Sequence, residues 1–447
     1  MKSKILLLAA CCLSVLLLSN SYAQHAEIAN EKLFSIHCDE TGLQCSAVGV
    51  KEDTHSDIQY PLGYVSTNAG MSWVRSQIED PFHGRTTSGI WGNLSSVTCD
   101  KTGIKCMAVG EFMPEGLWLS LAYSSQNGGL TWEMMTTLLP EADTHSFADI
   151  SCDTLGSHCV SIMRYVPNLA TYNSKLMAIY TMDGGSSWSM SHPIPSTDKY
   201  GDYGEMQEDD IGQMHTHCDD VGQRCVMIGI HRGSRPFSYI SIDGGKDWSL
   251  NAIQPALPIN ALNHEHASNQ LADVACDKTG LRCTTIGQYE TKNHDILPLA
   301  YTSLDGGSTW SLGEQLPLPE LTDVYATYGA LSSVACDDER TQCTAIGEYK
   351  ILHRDGISFP LSYTSKDGGQ HWKLSQEQPP LPKDARPRSE YPDYESETNH
   401  LHGVACSRTG LQCNAVGEYV KKSGEIAALS YSSMDGGHTW KLNSLKS

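Results

Sequence analysis

Asp149, His215 and Asp273 each stand three positions before the first cysteine of a closely spaced pair, and His402 stands four positions before another. Two carboxylates and an imidazole drawn to one point could move a proton or hold a metal ion. Further histidines gather at neighbouring positions: His145, His217, His264, His266 and His400. A second candidate is Trp91 and Trp118 with Glu111 and Glu115. Two indole rings offer a sugar an apolar platform, and carboxylates accept its hydroxyl hydrogen bonds. Whether either set converges depends on the elements that carry it.

Residues 1–23 stand apart from those elements. Lys2 and Lys4 precede an apolar run from Ile5 to Leu18 and a small-residue exit at Ser21-Tyr22-Ala23. That is the pattern of a secretory signal, too short to span a bilayer. Cys11 after Leu8-Ala9-Ala10 mimics a lipoprotein cleavage box, but the apolar run continues past it. Residues 24–447 are then expected as one domain, secreted or periplasmic, without membrane insertion. The formal charge of −21 becomes −23 once the two signal lysines are removed. Acidity of this size argues against nucleic acid or an anionic membrane as partner.

Of the 16 cysteines, Cys11 and Cys12 fall in the signal, and the rest form pairs with six residues between partners. The pairs are Cys38 and Cys45, Cys99 and Cys106, Cys152 and Cys159, Cys218 and Cys225, Cys276 and Cys283, Cys336 and Cys343, and Cys406 and Cys413. A second motif interleaves with them: TMDGGSSW (181–188), SIDGGKDW (241–248), SLDGGSTW (303–310), SKDGGQHW (365–372) and SMDGGHTW (433–440). The two earliest copies, STNAGMSW (66–73) and SSQNGGLTW (124–132), carry Asn68 and Asn127 where the later ones carry Asp183, Asp243, Asp305, Asp367 and Asp435. The chain is therefore seven copies of a unit of about 60 residues.

Within a unit the apolar period is two, as where Leu331, Ser333 and Ala335 alternate with Ser332 and Val334 ahead of Cys336. That alternation predicts strands, about four per unit, and no stretch of the mature chain sustains a helical period. A small sheet repeated seven times must bury its faces against its neighbours. The expected fold is all-β: a seven-bladed β-propeller of four-stranded antiparallel blades, each with one local disulfide. An open solenoid of small sheets is the alternative.

The motif Ser-x-Asp-x-Gly-x-x-Trp resembles the Asp-box, or BNR repeat, of sialidase-like propellers. The same box is found in sortilin-like receptors, xyloglucanase-like glycosidases and photosystem assembly factors. The resemblance covers the whole mature chain and implies the propeller fold. It implies no single activity, because the box recurs on proteins with unrelated functions.

Physically, the Asp-box carboxylate can accept hydrogen bonds from its own turn while the glycines supply positive φ. Asn offers the same acceptor without charge, which points to a structural role. Each cysteine pair flanks a hairpin turn, where facing residues lie close enough for a disulfide. A six-residue spacer matches no common zinc framework, and no metal site is expected.

In a four-stranded meander the first and third turns share one end, so cysteine hairpins and boxes share a face of fixed loop lengths. The opposite face has variable loops, where binding chemistry usually sits. There Tyr200-Gly-Asp202-Tyr203-Gly-Glu205 and Glu390-Tyr391-Pro-Asp393-Tyr394-Glu395 mix tyrosine with carboxylate. Calcium is chemically possible through such oxygens, though no calcium loop of recognisable spacing is present and no cofactor is expected. Seven of the nine tryptophans belong to boxes, leaving Trp91 and Trp118 on the variable face.

The sialidase resemblance would also imply an Arg-Ile-Pro element, which is absent, and a Tyr-Glu nucleophile pair, which cannot be assigned. Arg224, Arg282, Arg340 and Arg408 belong to cysteine hairpins, while Arg75, Arg85, Arg164, Arg232 and Arg354 could reach the variable face. The expectation is a monomeric secreted module that binds a glycan or a protein and is not an enzyme. The alternative is a sialidase-like or xyloglucanase-like glycosidase using two loop carboxylates.

Overall fold

The computed structural model describes residues 29–56, 58–82, 90–113, 116–135, 144–166, 175–195, 211–231, 235–264, 267–319, 328–350, 358–386 and 399–446. The expected signal at 1–23, Glu115, His266, Arg85, Arg232, Arg354 and the tyrosine-carboxylate loops near 200 and 390 lie outside them. Among the described residues no helix is long and apolar enough to cross a membrane.

Every repeat begins with a strand that ends on its first cysteine: Ala29–Cys38, Trp91–Cys99, Thr144–Cys152, Ile211–Cys218, Gln270–Cys276, Tyr328–Cys336 and His400–Cys406. Each runs antiparallel to a second strand that starts at the other cysteine, so the two cysteines face each other across the hairpin. All seven expected disulfides are formed. Seven such bridges point to an oxidising or extracellular compartment. A third strand and a short fourth complete an antiparallel meander in each repeat. The ladders are not all separate. Ile296 and Tyr328 join repeats five and six into one sheet, and a C-terminal strand, Ser444–Lys446, pairs in parallel with Ser72–Arg75 of repeat one.

A bulge kinks most first strands, for example between Leu401 and Gly403. It presses the backbone against a glycine of the second strand, and a Cβ at Gly417 would overlap the carbonyl oxygen of His400. Gly49, Gly110, Gly287 and Gly347 meet the same backbone approach. This accounts for the recurring Val/Ile-Gly step four residues after the second cysteine.

The glycine turns that end on tryptophan are closed by local hydrogen bonds to their Asp or Asn. Asp305 accepts the Ser303 hydroxyl at 2.8 Å, the Thr309 amide at 2.9 Å and the Thr309 hydroxyl at 2.6 Å. Partial burial pushes its carboxyl up, but the Thr309 and Ser303 donors outweigh this and hold it below the usual carboxylate value. Asn68 keeps the same acceptor, taking the Ser66 hydroxyl and the Ser72 amide at 3.0 Å, while its Nδ2 donates to the Ser72 hydroxyl at 2.8 Å. A neutral amide thus does the same mechanical work. Each box is also tied to the cysteine turn of its own repeat, as where the Gly306 amide donates to Leu281 O at 2.7 Å.

The cores lie between repeats and not within them. Trp248 of repeat four packs with Val160, Ile162 and Leu176 of repeat three, and Trp372 of repeat six packs with Ala272 and Ala300 of repeat five. Trp73 of repeat one packs with Val416 of repeat seven, so the last repeat shares a core with the first. Burying both faces of small sheets is the main stabilising term for such an array.

Backbone hydrogen bonds tie the repeats together at the cysteine-turn end. The second residue after each first cysteine donates its amide to the carbonyl of its counterpart in the next repeat: Glu40 to Lys101, Lys101 to Thr154, Thr154 to Asp220, Asp220 to Lys278, Lys278 to Asp338 and Asp338 to Arg408. Arg408 then donates to Glu40 at 2.8 Å, and the series returns to its start.

Candidate functional site

The first strands of all seven repeats line one cavity of 370 Å³. Its wall runs from the bulge, at Phe34, Ser332 and His402, to the hydrogen-bonded ring, at Glu40, Lys101 and Arg408. Arg408, placed by its hairpin on the face away from the variable loops, therefore borders this cavity. Its guanidinium contacts Asp338 and lies 3.4 Å from Glu40.

Asp149, His215 and Asp273 all line this wall. His215 Nδ1 lies 3.9 Å from Asp149 Oδ2, and both carboxyls feel its charge. Burial pushes the two carboxyls up, and His215 and local donors oppose that rise. Their oxygens are occupied by neighbouring repeats. Asp149 accepts the Ser96 hydroxyl at 2.5 Å and the Thr216 amide at 2.8 Å. Asp273 accepts the Ser333 hydroxyl at 2.7 Å and the Val334 amide at 2.9 Å. Ser35 and Ser333, at the same position, accept the amides of Val97 and Val404 at 3.2 Å. The position thus works as a fastening between first strands. Among the described residues no group of three or more side chains is arranged to hold a metal ion.

His402 lines the same cavity but keeps its own company. It lies 3.1 Å from Glu418 Oε2, stacks on His400 at 4.3 Å and meets the edge of Phe34 at 5.4 Å. Glu418 and Glu348 are both buried and follow the bulge glycine directly, as Glu111 does. The recurring Gly-Glu-Tyr/Phe step is the signal that would have found them.

His37 and His217 stand one residue before their cysteines in the cavity wall. Both rings keep some contact with the cavity, but the surrounding protein dominates, and burial pushes each down to about 4. The Cys99 amide donates to His37 Nδ1 at 3.2 Å, which requires that nitrogen to be unprotonated. An unfolded chain takes up these protons near 6.5 while the fold resists them to about 4. Stability should therefore fall as pH drops through that window. The raised carboxyls of Asp149 and Asp273 act with the opposite sign, gaining relative stability on acidification. A His37→Asn/His217→Asn variant keeps an acceptor and removes the protons. Its melting temperature should lose less than wild type between neutral pH and pH 4; equal slopes would refute the assignment.

Trp91 and Trp118 meet across repeat two, with ring centroids 6.1 Å apart and planes inclined at 55°. Trp91 begins the first strand and is 40% exposed. Trp118 precedes the third strand, where its carbonyl accepts the His145 amide at 2.9 Å. Beside them lies a cavity of 450 Å³ lined by Glu111, Trp118, Thr144, Ser146, Arg164 and Val166 among others. Burial raises the Glu111 carboxyl, and Asn93 and the Arg164 charge partly offset it. Arg164 comes from repeat three, a neighbour that no within-repeat reading supplies.

No family model and no curated protein matches the chain. Solved structures do. A protein of unknown function from Dyadobacter fermentans DSM 18053 is 12% identical with a TM-score of 0.45, covering 77% of this chain and 94% of its own. A GH74 enzyme of Niastella koreensis is 10% identical with a TM-score of 0.49, over 93% of this chain and 66% of the enzyme. Trypanosoma rangeli sialidase is 11% identical with a TM-score of 0.47, over 75% of this chain and 55% of the sialidase.

Proposed function

We propose that the chain is a secreted, closed seven-bladed β-propeller of the Asp-box kind whose role is to bind a glycan at the Trp91–Trp118 surface. The observation that carries the reading is the pair of tryptophans outside the boxes, in ring contact at the edge of a cavity that holds Glu111. Seven inter-repeat cores and the returning ring of backbone bonds support the closed architecture. An indole platform stacks against the apolar face of a sugar, and a carboxylate at its edge fixes hydroxyls. The chain's acidity favours neutral or cationic glycans over acidic ones.

The test is a glycan array with the purified protein, followed by titration of a positive ligand. Trp91→Ala/Trp118→Ala should weaken binding about a hundredfold, the scale of losing two interface anchors. Its melting temperature should stay near wild type. Undiminished binding by the folded variant would overturn the proposal, as would a protein that binds no glycan on the array.

A further inference from the structure

The face made of cysteine turns and Asp-boxes is regular, yet it is not coated as an inert surface would be. Its turns present Leu43, Ile104, Leu155, Val221, Leu281 and Leu411, each more than 40% exposed. Outside them the boxes present Ile242, Leu304 and Met434 at 67%, 70% and 69%. Apolar side chains recur around this face and give it material for a contact surface. Inside the apolar band stands the hydrogen-bonded ring with its charges: Glu40, Lys101, Thr154, Asp220, Lys278, Asp338 and Arg408.

The order of those charges fits a second copy of the chain. Two copies laid face to face are related by a two-fold axis in the plane of the ring, which reverses the order of repeats. Passed through repeat three, that axis sets Glu40 against the partner copy's lysine of repeat five and Lys101 against its aspartate of repeat four. It also sets Arg408 against the aspartate of repeat six. Thr154 meets itself. Every ring carboxylate then faces a cation of the partner copy, in addition to the contacts within one chain of Arg408 with Asp338 and Glu40 and of Lys278 with Glu339. An axis through any other repeat sets a charge against its own copy, because only repeat three carries an uncharged residue there. The same axis lays Leu43 over Leu281, both five positions after their first cysteine, and Leu155 over Leu155.

We propose that this face is the interface of a two-fold dimer of the chain, in a register set by the axis through repeat three. Such an interface is isologous, as a closed dimer requires. It leaves the Trp91–Trp118 surface free, and it stands against the expectation of a monomer.

The test is sedimentation velocity of the full chain across a wide concentration range, with melting temperatures to confirm folding. Wild type should associate to a dimer. Lys101→Glu and Asp220→Lys each set like charges together twice, and each should weaken self-association about tenfold or more. An equal mixture of the two should recover dimer, because both contacts become attractive again. Leu155→Glu, at the two-fold itself, should weaken association by at least as much without any ring charge being changed. A wild type that stays monomeric would overturn the proposal. So would a dimer that persists in these variants, or a mixture that fails to recover.

Discussion

Gly417→Ala should be among the most destabilising single substitutions in the protein, losing on the order of 3 kcal/mol or more. The new methyl group would overlap the His400 carbonyl, and the obstacle is backbone held in a ladder, not a side chain that can turn aside. Gly424→Ala is the control. A Cβ there meets nothing within 4 Å, although its φ of 89° still disfavours a side chain. That strain costs about 1 kcal/mol. Chemical denaturation of both variants decides the matter: equal losses would refute the close approach as the reason for the glycine. Repeat three holds the fully buried Met163 at this place, opposite Phe147, so the neighbouring strand takes part in setting what the position accepts.

Loss of one disulfide should cost a comparable amount. Each bridge closes a loop of eight residues, worth about 2.5 kcal/mol on the chain-entropy model. Cys276→Ser/Cys283→Ser should show that loss. Reduction of all seven should lower the melting temperature by far more than any single substitution. Each bridge clamps a hairpin that contributes one member of the backbone ring, so loosening the hairpins also loosens the contacts between repeats. Calorimetry with thiol counting tests this; a fully reduced protein that melts with the oxidised one would sink it.

Repetition made much of this molecule legible from sequence. The cysteine pairs, the box turns and the contact of Trp91 with Trp118 all follow from counting positions within one unit. Features that need two units at once were harder to see. Arg164 reaches the Glu111 cavity from the next repeat, and Asp149 and Asp273 turned out to fasten first strands together. The arginine of the sixth cysteine turn is a different case. Arg340 replaces a glycine found in the other six turns, keeps a φ of 51°, and buries its guanidinium against Ser303 O, Gly368 O and the Thr284 hydroxyl. A broken consensus was visible, but not where its side chain goes. The apolar residue in nearly every cysteine turn was also in plain view, though a face of constant loop length reads first as scaffold.

The ring formed by Glu40 and its counterparts has an electrical consequence. At a helix end, peptide dipoles align and leave a residual field. Here the seven amide-to-carbonyl bonds run head to tail around a circle, so their dipoles lie along the tangent and sum to nearly nothing. These seven bonds therefore contribute little net potential on the axis of the cavity. Among the side chains there, the ring supplies three acidic and three basic groups. A strongly acidic protein thus carries, at the centre of one face, a patch whose ring charges balance.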